Sequence, residues 1–182
     1  YITIKAGEKP TFEIYDTDLT LVPGWEYQLL IDGRAIRVRP MGERVFTGED
    51  LQGYNYISFR WNVTATGIHT LEVVEKATGE SVWSVDVIVS DVDGPEHMYV
   101  TPTTATNGTD ITVYLWNFDA NEDITIYFGC NILQYSDSVD NFGALKTIIG
   151  STEDDFGYHL GYVPMGDYRV KAVGDISGAA EE

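Results

Sequence analysis

Apolar and polar side chains alternate along most of this chain, and the alternation predicts strands almost throughout. In the opening segment Ile2, Ile4 and Ala6 share one face, while Tyr1, Thr3 and Lys5 share the other. The same period of two runs through Thr11–Tyr15, Tyr27–Ile31, Ala35–Arg39, Tyr56–Val63, His69–Val74 and Val82–Val89. It resumes in Met98–Val100, Asp110–Trp116, Asp123–Phe128, Ala144–Ile149, Tyr158–Val163 and Asp167–Val173. Asp32-Gly33 reads as a hairpin turn, and Ala77-Thr-Gly79 as another. Helical periodicity is confined to a turn or so around Asp137 to Leu145. Gly7 and Pro10 detach the opening strand, so it either completes a sheet in its own subunit or pairs with the open sheet edge of a neighbour.

Punctuation divides the chain. Asp91-Val-Asp-Gly-Pro-Glu96 interrupts the strand pattern with a Gly-Pro loop. The expected organisation is a donor strand at 1–10, a first β-sandwich half at 11–90, an acidic junction at 91–97 and a second half at 98–174. A mobile tail of little burial potential follows at 175–182. Thr66-Gly-Ile-His-Thr-Leu-Glu-Val73 and Met165-Gly-Asp-Tyr-Arg-Val-Lys-Ala172 share a cadence in which a ring follows a tight glycine turn. That cadence resembles a late strand of immunoglobulin-like domains, and Val100-Thr-Pro through Val113 resembles the opening of prokaryotic surface immunoglobulin-like repeats. The expected fold is therefore all-β, as two immunoglobulin-like sandwich halves, with one large jelly roll as the alternative.

Charge narrows the partners. The chain has 182 residues with 29 Asp and Glu against 11 Lys and Arg, a formal charge of −18. Nucleic acid is a poor partner for such a surface, because phosphates need clustered cations. Like charges keep separate copies apart, and hard Ca²⁺ is the natural ion to remove that repulsion. The candidate ligands are Asp16 and Asp18, two apart on an extended segment, Asp91, Asp93 and Glu96 at the junction, and Asp119, Asn121 and Asp123. The last group departs from an EF-hand, because Ile124 stands where that loop needs glycine and Cys130 where it needs glutamate. Glu153-Asp-Asp155 is a bare acidic run on a loop.

Other chemistry is sparse. Cys130 is the single cysteine, which excludes an intramolecular disulfide and reads as a small buried hydrophobe. His69, His97 and His159 fall in no ligand-spaced motif, and no nucleophile elbow or phosphate loop is present, so an enzyme is not expected. The opening Tyr points to a removed leader, and no apolar run reaches the roughly 20 residues that cross a bilayer. Asn62-Val-Thr64 and Asn107-Gly-Thr109 are sequons, so Asn62 and Asn107 are candidate glycan acceptors of a secreted protein. Trp25, Trp61, Trp83 and Trp116, with twelve tyrosines, serve either the core or a stacking platform for sugars.

An acidic, disulfide-free, all-β chain with an alternating N-terminal strand resembles the subunits of archaeal extracellular fibres and tubules, the cannula family in particular. The resemblance implies a homopolymer built by calcium-triggered donor-strand exchange, with Ile2, Ile4 and Ala6 inserted into a neighbour. It also implies an extracellular home and carboxylates such as Asp91, Asp93 and Glu96 as interfacial ligands. A monomeric carbohydrate-binding or adhesin module is the competing expectation.

Overall fold

The computed structural model describes residues 1–106, 109–129, 133–149 and 166–181. The chain divides into two units, Tyr1–Val89 and Ser90–Glu182.

The first unit contains β1 (Ile2–Lys5), β2 (Thr11–Tyr15), β3 (Glu26–Ile31), β4 (Arg34–Ala35), β5 (Phe46–Thr47), α1 (Gly48–Tyr54), β6 (Tyr56–Arg60), β7 (Gly67–Glu75) and β8 (Ser81–Ser90). One sheet runs β1-β8-β7-β3-β4, with β5 also on β3; β2 and β6 form a second, two-stranded sheet. Alternate residues of both sheets point inward, so Leu29, Leu71, Val73 and Val87 meet Ile14, Ile57 and Phe59 in one core. A glance at β6 shows the pleat at work: Ile57 and Phe59 are buried while Tyr56 and Arg60 are exposed. The β3–β4 hairpin turns through Asp32 and Gly33, both with positive φ (49° and 73°), as the Asp-Gly pair predicts.

The second unit contains β9 (His97–Thr101), β10 (Ile111–Trp116), β11 (Asp123–Phe128), β12 (Leu133–Ser138), β13 (Leu145–Ile149), β14 (Val170–Gly174) and β15 (Ala179–Glu181). Its two sheets run β13-β10-β9 and β12-β11-β14-β15. Three strands facing four, with the third strand crossing to the opposite sheet, is an immunoglobulin-like sandwich order. Val113, Leu115 and Leu145 from one sheet pack on Ile124, Ile126, Val170 and Ala172 from the other. The first unit has the related arrangement, with β2 and β6 facing the larger sheet. The described residues are all-β apart from α1 and short turns.

Several expectations change. α1 was not expected, because Leu51 is its single large buried side chain and no apolar stripe announces it. A capping box starts it: the Thr47 hydroxyl accepts from the Asp50 amide at 3.1 Å, and the Asp50 carboxylate accepts from the Thr47 amide at 2.8 Å. The turn of helix expected from Asp137 is instead the end of β12 followed by a bend. The tail expected to be mobile carries β15, whose Ala180 is buried and pairs with Ala172. Alternation continues there on residues too small to signal burial. The strand expected at 158–163, with His159, and the positions of Cys130, Asn107 and Glu153-Asp-Asp155 lie outside the described residues.

Gly143 sits at φ 71°, where a Cβ would strike the Phe118 carbonyl. We expect Gly143→Ala to destabilise the second unit by about 2–5 kcal/mol, combining left-handed strain with overpacking. Urea unfolding followed by tryptophan fluorescence measures it, and an unchanged midpoint would contradict the packing described.

Candidate functional site

The N-terminal strand is the first candidate. β1 lies at the edge of its own sheet, paired with β8. Ile4 is buried at 6% exposure and Ala6 packs against the core, but Ile2, expected on the same inserted face, is 37% exposed. The following linker is pinned by backbone bonds from the Gly7 amide to the Val63 carbonyl (3.1 Å) and from the Val63 amide to Glu8 (3.3 Å). In this structure β1 therefore completes its own sheet. A second edge is open among the described residues: β2 pairs there with β6 alone, through Phe12 opposite Phe59 and Ile14 opposite Ile57. The outward amide of Tyr15 is capped by the Asp18 carboxylate at 2.9 Å.

That cap settles the first acidic pair. Asp16 and Asp18 lie in a 3₁₀ turn rather than an extended strand, so residues two apart diverge instead of sharing a face.

The other predicted ligands converge within the second unit. Loops carrying Asp91 and Asp93, Asp119 to Asp123, Asp137 to Asp140 and Asp175 are tied together at one end of the sandwich. The Asn121 amide donates to the Asp140 carbonyl (3.0 Å), and the Asp175 amide to the Asp123 carbonyl (3.1 Å). Several of these carboxylates already have local partners. Asp91 accepts from the Asp93 amide (3.3 Å), and Asp123 accepts from the Ser138 hydroxyl (2.7 Å). Among the described residues, no three His, Cys, Asp or Glu side chains form a group able to hold a metal ion. The acids of this end thus form a negative field without a preformed cation site.

Two residues that sequence reasoning passed over organise this end. Asn117, buried and at φ 69°, accepts from the Asp91 amide (2.7 Å), donates to the Pro95 carbonyl (2.9 Å) and is itself held by Ser90 Oγ (2.8 Å). Glu122 is 2% exposed. Its carboxylate accepts from the amides of Asp119 (2.8 Å), Ile176 (2.8 Å) and Ser177 (3.0 Å), and from the Ser177 hydroxyl. Burial pushes its carboxyl up, but those four donors outweigh burial and hold it below the ordinary glutamate range. A Cβ on Gly174 would strike the Glu122 carboxylate, so glycine leaves room for it. Glu122 lies in the turn before β11, where Asn121 takes a positive φ of 60°, so strand alternation does not announce its inward direction.

His69, His97, Trp61, Trp83 and Trp116 have structural partners. His69 meets Asp32 (2.7 Å) and packs edge-on against Trp61, and His97 stacks on Trp116. Trp61 and Trp83 pack against the first core from partly buried positions, whereas Trp25 is half exposed. Asn62 is exposed.

No family model matches the chain, and no curated protein matches it. Among solved structures, the D0–D1 domain of intimin aligns with 98% of this chain and 90% of its own at 13% identity, with a TM-score of 0.42. A membrane-anchored protein from Corynebacterium diphtheriae aligns with 99% of this chain and 50% of its own at 11% identity and TM-score 0.34. A bacterial ice-binding adhesin aligns with 98% and 57% at 11% identity and TM-score 0.25. The sandwich assignment rests on the strand order above. No helix among the described residues is long and apolar enough to cross a membrane.

Because Glu122 has a lowered pKa in the folded state, its stabilisation is full above the unfolded value of about 4.3 and is lost as pH falls through the folded value. Glu122→Gln should cost about 1–3 kcal/mol at neutral pH, since its amide NH₂ faces donors. The variant should also show a flatter loss of stability below pH 5 than the parent. Chemical denaturation at stepped pH checks both.

Proposed function

We propose that this chain is a non-catalytic structural subunit of an extracellular filament or tubule, in which copies join edge to edge through the N-terminal strand. The position of β1 carries the reading. It is an edge strand behind a Gly7–Pro10 hinge, with Ile4 as its one fully buried side chain. Such a strand can leave its own β8 and make the same ladder bonds on β8 of another copy, an exchange of identical elements. Exposing Ile4 in transit costs about 1.5–3 kcal/mol, and docking on the neighbour restores it. Each copy then donates one strand and accepts another, so the contact propagates. The open edge of β2 offers a second seam.

Calcium is the proposed trigger. The second unit, Ser90–Glu182, has three Lys and Arg against sixteen Asp and Glu, a net −13, while Tyr1–Val89 has eight against thirteen, a net −5. Copies therefore repel most strongly around the second unit. With no complete ligand set among the described residues of one unit, an ion at Asp91, Asp93 and Glu96, or at Asp119 and Asp123, draws oxygens from two copies. A second reading, a monomeric surface module that binds carbohydrate, is favoured by the exposed tyrosine pair Tyr15 and Tyr56, whose rings lie 5.8 Å apart.

A chain lacking residues 1–9 should not assemble with calcium but should capture a synthetic Tyr1–Lys9 peptide with a recovered thermal midpoint. Light scattering and thermal unfolding read the two effects. Normal assembly of the truncated chain, or no peptide capture, would remove strand exchange.

A further inference from the structure

The outer face of the β2–β6 sheet gathers positive charge in a protein that is otherwise strongly acidic. The register sets Thr11 beside Arg60, Glu13 beside Ser58 and Tyr15 beside Tyr56. Arg39 widens this face. Its amide donates to the Ser58 carbonyl at 2.7 Å, and its carbonyl accepts from the Ser58 amide at 3.0 Å. Residues directly opposite in an antiparallel pair point the same way, so Arg39, Ser58 and Glu13 form one row. Val38 is fully buried, which turns Arg37 and Arg39 outward together. Arg37 is exposed on the same segment two residues before Arg39. Arg60 also lines a shallow, open depression with Lys9 and Asn62.

Among the described residues, Lys76 pairs with Glu26 and His69 with Asp32, and no carboxylate forms an ion pair with Lys9, Arg37, Arg39 or Arg60. Beside them, Tyr15 and Tyr56 are 46% and 39% exposed, with rings tilted at 42°. Glu13 is the acid on this face, and it accepts the Tyr15 hydroxyl at 2.6 Å.

We propose that this face binds an acidic polysaccharide, with Arg37, Arg39, Arg60 and Lys9 holding its carboxylates or sulfates and Tyr15 and Tyr56 stacking on a sugar ring. The proposal deepens the carbohydrate reading and is independent of strand exchange. The guanidinium fork matches a carboxylate in two parallel hydrogen bonds, which suits an anion better than a diffuse field does. A tyrosine ring presents a flat apolar surface with a polar tip, the shape that a pyranose face and its hydroxyls complement. Asn62, beside Arg60, and Glu13, in the middle row, supply an amide and an acceptor for sugar hydroxyls. Nucleic acid fits poorly: a duplex carries a charge about every 1.7 Å of axis, and its length would run past four cations onto acidic surface. A sugar chain with one charge per ring or two spaces its anions sparsely enough for this face.

The test is isothermal titration calorimetry of the full chain, produced without N-glycans, at about 0.15 M ionic strength. The probes are oligosaccharides of alginate and of chondroitin sulfate, with dextran and inorganic polyphosphate as controls. Binding to at least one acidic oligosaccharide and none to dextran is expected. The triple variant R37Q/R39Q/R60Q should weaken that binding at least about tenfold. Tyr56→Ala should weaken the sugar severalfold while leaving any polyphosphate binding unchanged; both variants change exposed side chains, and circular dichroism verifies their fold. No heat with either acidic sugar, an unaffected triple variant, or a Tyr56→Ala loss shared with polyphosphate overturns the proposal. Sugar binding by a chain that never assembles supports it and removes the filament reading.

Discussion

Backbone amides and carbonyls at a sheet edge must find partners, and that requirement governs where the N-terminal strand goes. β8 is the last strand of the first unit, and without β1 it would present an unpaired ladder to solvent. β1 closes that edge, buries Ile4 and leaves Ile2 half exposed. The small sheet solves the same problem differently. β6 is covered on one side by β2 and on the other by the short Arg39–Ser58 bridge, while β2 relies on the Asp18 cap and on the charge of Glu13. Strand pairing, once satisfied within a copy, is a set of bonds that another copy can supply equally well.

The second unit depends on buried polar groups more than on its edges. Asn117 and Glu122 sit where loops cross between sheets: Asn117 accepts from the Asp91 amide and donates to the Pro95 carbonyl, and Glu122 accepts from three backbone amides. A carboxylate so enclosed without a cation survives because four donors face it. This places negative charge inside a region whose exposed residues are already acidic. The first unit, with eight of the eleven cations, carries its charge on strand faces and hairpins instead. Charge is therefore distributed by unit, and the two units present different surfaces to any partner.

Much of this was legible from alternation alone. The strands at Thr11–Tyr15, Tyr27–Ile31, Asp123–Phe128 and Ile111–Trp116 follow directly from it, and so does the Asp32-Gly33 hairpin. What was not legible depended on non-local pairing or on residues with little hydrophobic signal. α1 has one apolar anchor, and its cap box, Thr47 with Asp50, was the readable clue. β15 is built from alanines. The Asp16-Thr-Asp18 turn broke the strand period just where two carboxylates were expected to align. Glu122 was hidden among acids that looked interchangeable, because the turn before β11 directs it inward and no local pattern announces that turn. The cationic face required knowing that Arg39 meets Ser58, nineteen positions along the chain, and no local pattern announces that register.

The most direct test of the assembly account follows the full chain by sedimentation velocity and negative-stain microscopy as Ca²⁺ is raised from chelated to millimolar levels. The account predicts monomers in chelator and regular filaments or tubes once calcium bridges the acidic loops. A sedimentation coefficient that stays monomeric throughout the titration would contradict it.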